Sequence, residues 1–567
     1  MPGNNVPPPT PVPALPSLTR REREVLDELT RPLGGDTPFT EPASVKEIAG
    51  RLFVTQAAVK QHLLRLYDKF EIWEGEPRRR LKLANEAMRR RPHDHVHPLE
   101  AAREAFDRRD WATAAQLFAT ADSRDQLGPE DLERWGEAGI WSDRHEESAA
   151  ARECAHAAYL ERQDERGAGR VAIGLAYNAI VRCQFSLVAG WMNTARRLLG
   201  DLEESAEHAD LAAISAILQI AEGETEAGLD SARAAHEIGG RTGNADAQAM
   251  GLVNQGHALA RQGRIREGFD LLDEAMAFAS SRQLGPMATG VVYCRTISAC
   301  LDLWDFRRAL EWTDEVDRRE QGGEAGFPGD CMTHRAALRI VHGEWAEAER
   351  EAEFACVTGD LFDRNHVGAA IYEIGEIKLR TGDLDAAENA FRRANEMANP
   401  CQPGMALLML ARGDPEAASA SIGAAVASVP NDALVRAHLL PAQVTIALAA
   451  GDVDAAAVAA TDLDGIGERF GTAALRAAAA SARGSVDVER GRSAQAVTEL
   501  RSGVQLWTEV GAPYESALAR VGLGQALVAL EDRGGAAMEL RAASAAFERL
   551  GAEPDLIRTN ERLRQID

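Results

Sequence analysis

The chain has 567 residues, with 63 Lys and Arg against 88 Asp and Glu, so its formal net charge is −25. Hydrophobic residues at 45% and charged residues at 27% are proportions of folded globular proteins, which excludes wholesale disorder. No apolar run reaches the roughly 18–20 residues that a membrane-spanning helix needs. The proline-rich beginning lacks the basic-then-apolar order of a secretory signal, and seven sparse cysteines are typical of reduced thiols. We therefore expect a cytoplasmic protein without membrane contact.

Charge is unevenly distributed along the chain. Residues 1–98 contain 16 Lys and Arg and 13 Asp and Glu, a net charge of +3, which leaves 47 against 75, a net charge of −28, for residues 99–567. An acidic segment binds nucleic acid poorly, because phosphate contacts depend on Lys and Arg. If the protein binds a nucleic acid, we expect the first hundred residues to do so.

The first 91 residues divide into a tail and a small helical domain. Residues 1–16 are rich in proline and are expected to be extended. Helical patterns then cover Thr19–Leu29, Val45–Leu52 and Gln56–Phe70. About three residues separate the second helix from the third, which is the spacing of a helix-turn-helix whose second helix enters the DNA major groove. The sequence therefore predicts a helix-turn-helix domain over residues 17–91.

Polar residues mark the beginning of each of these helices. Thr19 and Ser44 are each followed three residues later by a glutamate, Glu22 and Glu47, which is the capping-box pattern. Thr55 is placed to cap the third helix. The caps fix the predicted starts of all three helices.

Signature residues of a known DNA-binding family occur in this domain in order. They are Leu18-Thr19-Arg20-Arg21-Glu22, Val25-Leu26, Ile48-Ala49, Leu52, Val54-Thr55, Val59-Lys60, His62 and Lys69-Phe70. Through them the segment Leu18–Arg91 resembles the LuxR-type DNA-binding domain, a winged-helix-like helix-turn-helix fold. The resemblance implies double-stranded DNA as a partner, with bases contacted by Gln56, Lys60 and Gln61, and phosphates by Lys46, Thr55 and Arg65. Long cationic side chains and amides are also the groups that base and phosphate recognition requires.

Three departures from the family pattern support an alternative. The loop Thr30–Ala43 is longer than the usual connection, and Leu64 stands where a basic residue often faces the groove. Glu71 replaces the glycine that ends the third helix, which favours continuation of that helix toward Trp73. The alternative is a diverged head that binds protein instead of DNA.

A basic helix and a short linker complete the head. Pro77–Arg91 carries seven basic residues and one acid, with Leu81, Ala84 and Met88 on one face. This helix is expected to pack on the domain, to contact phosphate, or to form the dimer helix of LuxR-type heads, in which case a homodimer would read a palindromic site. Residues 92–98 alternate histidine between prolines and are predicted to be an exposed linker, not a metal site.

Residues 99–567 carry a helical repeat. Four sets share the same offsets of 12, 16 and 19 residues: Ala102, Ala114, Phe118 and Ala121; Gly256, Gly268, Leu272 and Ala275; Gly375, Ala387, Phe391 and Ala394; Gly524, Ala536, Leu540 and Ala543. Small residues at the first two places let two antiparallel helices approach closely. These are signature places of the tetratricopeptide (TPR) repeat. Residues 99–567, which we call the body, therefore resemble a TPR array. Glycines at turns recur at a period of about 40 residues, which predicts an α-solenoid of about 12 helix pairs.

A solenoid of this size is expected to bind a protein or a small-molecule effector. Its inner face, built by the first helix of each pair, offers seven polar candidates: Asn178, Arg182, Asn254, Arg295, His334, Tyr372 and Glu373. The alternative for each is buried hydrogen bonding between helices, or solvation. Trp111, Trp304 and Trp345 each follow an inter-helix turn and are expected to pack in the core.

Enzyme motifs are incomplete in this sequence. A Gly-rich segment at Gly167–Gly169 lacks a preceding strand, His145-Glu146 and His236-Glu237 lack the second histidine of a zinc protease, and no Gly-Lys pair forms a phosphate loop. We therefore expect an all-α protein with no catalytic residue, metal or cofactor. The sequence predicts a transcriptional regulator with a LuxR-type head at the N-terminus and a TPR-like effector-binding body. The alternative is a scaffold in which both parts bind proteins.

Overall fold

The computed structural model describes residues 16–566, apart from residues 17, 31–41, 53, 71, 74–77, 91–97, 123–126, 143, 183, 282, 322–327, 360–363 and 398. The predicted tail up to residue 15, linker residues 92–97, Glu71 and most of the loop Thr30–Ala43 therefore lie outside the described residues.

The described residues form 29 α-helices and no β-strand, so the all-α prediction is confirmed for them. The helices are α1 Arg20–Thr30, α2 Val45–Leu52, α3 Gln56–Lys69, α4 Arg79–Arg90, α5 Pro98–Asp107, α6 Trp111–Asp122, α7 Pro129–Trp141, α8 His145–Glu161, α9 Glu165–Val181, α10 Phe185–Leu199, α11 Ala206–Ala221, α12 Thr225–Thr242, α13 Ala245–Arg261, α14 Ile265–Ser280, α15 Pro286–Asp302, α16 Phe306–Gln321, α17 Pro328–His342, α18 Trp345–Gly359, α19 Arg364–Thr381, α20 Leu384–Glu396, α21 Gly404–Ala411, α22 Pro415–Ser428, α23 Ala433–Ala449, α24 Val453–Phe470, α25 Ala473–Glu489, α26 Ser493–Val510, α27 Pro513–Ala529, α28 Arg533–Leu550 and α29 Glu553–Ile566. They divide into two compact units, residues 1–127 and 128–567.

In the first unit, α1–α4 surround a small apolar core. Its fully buried members include Leu29, Ile48, Val59, Leu66 and Leu83. Both predicted capping boxes form: the Thr19 backbone N–H donates to the Glu22 carboxylate at 2.8 Å, and that of Ser44 donates to Glu47 at 2.7 Å. The described residues of this head contain no wing strand.

The third helix ends where its predicted pattern ends and does not continue. Phe70 is its C-cap, buried in the head core, and Trp73 is not helical. The expected continuation toward Trp73 is therefore wrong: the Ile72 backbone N–H donates to the Tyr67 carbonyl, five residues back, and the Ile72 side chain is buried in the head core. The first unit also contains one helix pair, α5–α6, whose Ala102, Ala114 and Phe118 are fully buried as the repeat pattern predicts.

In the second unit, consecutive helices form antiparallel pairs in a TPR-like α-solenoid. The pairs α7–α8 to α27–α28 number eleven, and with α5–α6 the described residues hold twelve, as predicted. The small residue of each first helix lies against its partner helix: a Cβ placed on Gly375 would be 2.5 Å from the Phe391 ring, and one on Gly524 would be 2.8 Å from Leu540. First helices also pack on one another, as α13 packs on α15 and α23 on α25, so they form an inner layer.

Left-handed backbone closes the turns inside the pairs. All seven predicted turn glycines have positive φ, between 70° and 93°: Gly223, Gly263, Gly343, Gly382, Gly413, Gly451 and Gly491. This region is open to glycine without steric cost. Equivalent turns use other residues, among them Trp304 at φ 56°.

The inner layer also contacts itself at long range, a feature the sequence did not predict. The end of a first helix meets the beginning of the first helix five pairs later in three places: Arg261 with Asp432 at 2.5 Å, the Leu303 carbonyl with the Thr472 hydroxyl at 2.8 Å, and His342 with the Gly511 carbonyl at 3.0 Å. We call these the turn-to-turn contacts. One apolar core joins side chains between residues 172 and 341 to side chains between residues 406 and 519.

None of the helices in the described part of the chain is both long and apolar enough to cross a membrane.

Candidate functional site

The residues predicted to contact DNA lie on the exposed face of α3, apart from Lys46 on α2 and the N-cap residue Thr55. The helix buries Val59, Leu63 and Leu66, which are spaced four and three residues apart, so the positions between them face solvent. All six predicted contacts are exposed: Lys46, Thr55, Gln56, Lys60, Gln61 and Arg65. Thr55 also caps α3, because its hydroxyl accepts a hydrogen bond from the Ala58 backbone N–H at 3.2 Å. Leu64 is half exposed on the same face.

The cations among the predicted contacts have no acidic partners within the described part of the head. Lys46, Lys60 and Arg65 make no ion pair there. Other cations of the head, Arg21, Arg51 and Lys69, pair with carboxylates. Lys69 lies 2.7 Å from the buried Glu22, and this hydrogen bond lowers the pKa of Glu22 to about 2. A face with free cations and amides can attract a polyanion.

The basic helix α4 packs on the head. Its buried residues are Leu83, Ala84 and Ala87. The predicted face comprised Leu81, Ala84 and Met88, of which Ala84 is buried and Leu81 is only half-buried, while the Met88 side chain lies outside the described residues. Arg79 lies over the Tyr67 ring at 4.2 Å and donates to the Ile72 carbonyl. These contacts give α4 a structural role in the head.

The seven predicted effector residues do not meet in one site. Asn178, on α9, is buried and donates to the Ser148 hydroxyl at 3.0 Å while it accepts from Arg152, so its amide links α8 to α9. Arg182 ends α9, 4.0 Å from Glu146. His334 lies half-buried on α17. Asn178 therefore forms the buried hydrogen bonds between helices that the sequence analysis gave as the alternative to ligand contact.

Tyr372 and Glu373 belong to a charged cluster on α19. The Tyr372 hydroxyl donates to Glu376 at 3.0 Å and accepts from the Gly404 backbone N–H. Glu373 makes no hydrogen bond or ion pair with described residues, and burial raises its pKa to about 8. Arg380, two turns after Glu373, lies 3.5 Å from Glu515 of α27. Glu373, Glu376 and Arg380 are spaced three and four residues apart and so share one side of α19. This spacing could have predicted the charged cluster from the sequence.

Arg295 belongs to a second polar cluster, between α13 and α15, and Asn254 lies on α13 one turn before another of its members. Sequence analysis missed its other members, His257 and Asp302, although Asn254 and His257 are three residues apart on one helix. Arg295 lies 3.0 Å from the Nδ1 atom of His257, whose Nε2 atom lies 3.3 Å from Asp302. In the described part of the chain, no three His, Cys, Asp or Glu side chains are arranged to hold a metal ion.

Comparison with known proteins gives fold similarity only. No protein-family profile matches this chain. No curated protein sequence matches it either. Among solved structures, the hetero-tetramer of Cut9 and Hcn1 from the APC/C is similar over 81% of this chain and 96% of that chain, with 11% identity and a TM-score of 0.35. Yeast Tom70 is similar over 82% of this chain and 96% of its own, with 13% identity and a TM-score of 0.31. At these values no residue or function transfers to this chain.

Proposed function

We propose that the protein is a helical-repeat scaffold whose body binds other proteins. The observation that carries the proposal is the series of helix pairs α7–α28 in the described residues, in which each helix packs on its neighbours. Stacked repeats present an extended surface along the whole array, and this surface is what solenoid proteins use for binding.

Charge indicates the kind of partner. Residues 99–567 have a net charge of −28, while residues 1–98 have a net charge of +3. An excess of carboxylates accelerates association with a positively charged surface and suppresses binding to nucleic acid. The preferred partner of the body is therefore a protein with a basic surface.

The test captures partners on the full-length chain and re-measures each with purified components. We expect direct binding that weakens as salt rises from about 50 to 200 mM, with cross-links to α7–α29. The matched control is the double variant Lys60→Ala with Gln61→Ala, which alters only the head and should bind the same partners. Cross-links confined to α1–α4 would contradict the proposal for the body.

A second candidate function, DNA binding by the head, is favoured by the free cations on α2 and α3. Lys46, Lys60 and Arg65 are exposed and unpaired beside two amides, Gln56 and Gln61. These are the groups that read base edges and neutralise phosphates. Under this proposal the protein is a DNA-binding regulator, the body binds its effector, and a homodimer would place two heads on a two-fold site.

Selection of random duplex DNA on the full-length chain, at about 50 and 200 mM salt, tests the second candidate. We expect Lys60→Ala with Gln61→Ala to weaken binding to a selected site by roughly tenfold or more, since one good base contact is worth about 1–3 kcal/mol. Arg533→Ala, which removes an exposed cation of the body, should leave DNA binding unchanged. If the folded protein selects no sequence, the head is a second protein-binding module and the scaffold proposal covers the whole chain.

A further inference from the structure

Arg295 is a partly buried cation that forms no ion pair with a carboxylate of the described residues. Its guanidinium contacts one side-chain group among the described residues, the His257 ring, and makes no ion pair with them. Burial lowers the pKa of Arg295, so the charged form is held in an unfavourable environment. In a chain with 88 acids and 63 bases this is unexpected, and arginines such as Arg170 and Arg308 are paired with carboxylates.

A chain of hydrogen bonds fixes the position of Arg295 without neutralising it. A guanidinium can only donate, so the His257 Nδ1 atom accepts and the ring proton lies on Nε2, toward Asp302. His257 is therefore neutral, and burial lowers its pKa further. The carboxylate of Asp302 is shared with Arg261, whose other contact is Asp432. His257 and Asp302 position Arg295 while its charge stays available.

Three unpartnered polar groups lie on the same two helices. Asn254, one turn before His257, is fully buried, and neither its amide nitrogen nor its amide oxygen has a partner. Thr296, next to Arg295, is fully buried with an unpartnered hydroxyl, and the Arg295 Nε atom is buried without an acceptor. Leaving such groups unsatisfied destabilises the folded chain. Unsatisfied donors on the two helices that carry an unpaired cation are groups that a bound anion would satisfy.

We propose that the α13–α15 junction binds a small oxyanion, a phosphate or a carboxylate, through the free Nε edge of Arg295 and the amide of Asn254. Arg295 supplies charge and a donor, while His257 and Asp302 act as positioning residues. Arg295 is partly exposed as a residue while Asn254 is fully buried, so we place the opening of the site on the Arg295 side. This site goes beyond the proposed binding of protein partners and needs none of them.

Calorimetric titration of the purified full-length chain tests the site directly. The probes are inorganic phosphate and acetate, each up to about 10 mM at matched ionic strength, a range that detects a single charge-assisted contact. We expect saturable binding and a rise in melting temperature with at least one probe. Phosphate alone, or acetate alone, identifies which oxyanion the site prefers. No saturable binding of either probe overturns the proposal.

Variants locate the binding. Arg295→Gln keeps a planar donor and removes the charge, so we expect affinity to fall at least tenfold, while Arg533→Gln binds as the native chain does. Binding that survives in folded Arg295→Gln places the anion elsewhere and overturns the proposal. If that variant does not fold, His257→Gln decides in the same way, since it retains Arg295 but removes the group that positions it.

Asn254→Leu separates a ligand contact from a purely structural amide. Replacing an unpartnered buried amide by an apolar side chain of similar shape should raise the melting temperature in either case. We expect it also to weaken probe binding several-fold. A stabilised variant with native affinity would remove Asn254 from the site and overturn its assigned contact. These measurements involve no protein partner. The oxyanion site can therefore be refuted while the scaffold proposal stands, and the scaffold proposal can be refuted while the oxyanion site stands.

Discussion

Gly256 of α13 and Gly268 of α14 lie against each other where the two helices of one repeat pair meet. A Cβ added to Gly256 would lie 2.7 Å from the Gly268 carbonyl oxygen and 2.8 Å from the Leu272 Cγ atom. The first of these neighbours is backbone and cannot rotate away, so Gly256→Ala must separate the two helices. Overpacking of this kind costs about 1–3 kcal/mol.

The higher helix propensity of alanine opposes this cost, so the sign of the change in unfolding free energy shows which effect is larger. Alanine favours a helix interior over glycine by about 0.5–1 kcal/mol, so we expect a net loss of about 1–2 kcal/mol. Gly465 of α24 is exposed, and a Cβ there would have no atom within 4 Å. Gly465→Ala should therefore stabilise the protein by about 0.5–1 kcal/mol. The measurement is the urea midpoint by far-ultraviolet circular dichroism, and a midpoint for Gly256→Ala at or above that of the native chain would refute the reasoning.

Two further predictions concern charged contacts. Since Lys69 holds the pKa of Glu22 near 2, against 4.5 for a free carboxyl, their pair stabilises the head above about pH 4.5 and is lost as the pH falls toward 2. Lys69→Met should therefore reduce hydrogen-exchange protection of α1 and α3 at pH 6, and an equal difference near pH 2 would be inconsistent with this origin. Arg261→Met should reduce protection both at the end of α13 and at the start of α23, by about 1 kcal/mol, because it removes the contact with Asp432. Loss at α13 alone would show that the contact contributes nothing.

Local features of this fold could be predicted from the sequence because neighbouring residues determine them. The capping boxes at Thr19 and Ser44 depend on residues three apart, and they form. The small residues Gly375 and Gly524 lie against large ones sixteen residues later, as the offsets indicated. The end of α3 was misjudged because the lack of a terminal glycine is a local signal, whereas the burial of Phe70 and Ile72 in the head core is a tertiary effect.

The candidate sites depended on partners that no local pattern identifies. Asn178 and Asn254 are both buried amides on first helices, yet one is fully paired and the other is not. The difference lies in Ser148 and Arg152 of the preceding helix, whose proximity follows from how the pairs stack. The turn-to-turn contacts are even harder to predict from sequence, because they depend on the rotation accumulated over five successive pairs.

The turn-to-turn contacts have a consequence for how this protein folds. In an ordinary repeat array, the free energy is a sum over nearest neighbours, so an internal segment can open while distant repeats remain folded. Here Arg261 and Asp432 join segments 171 residues apart, and Leu303 and Thr472 join segments 169 apart. Such separations raise the contact order and its entropic cost, which slows folding. In return, the array gains the cooperativity of a globular domain, in which opening one pair weakens another five pairs away.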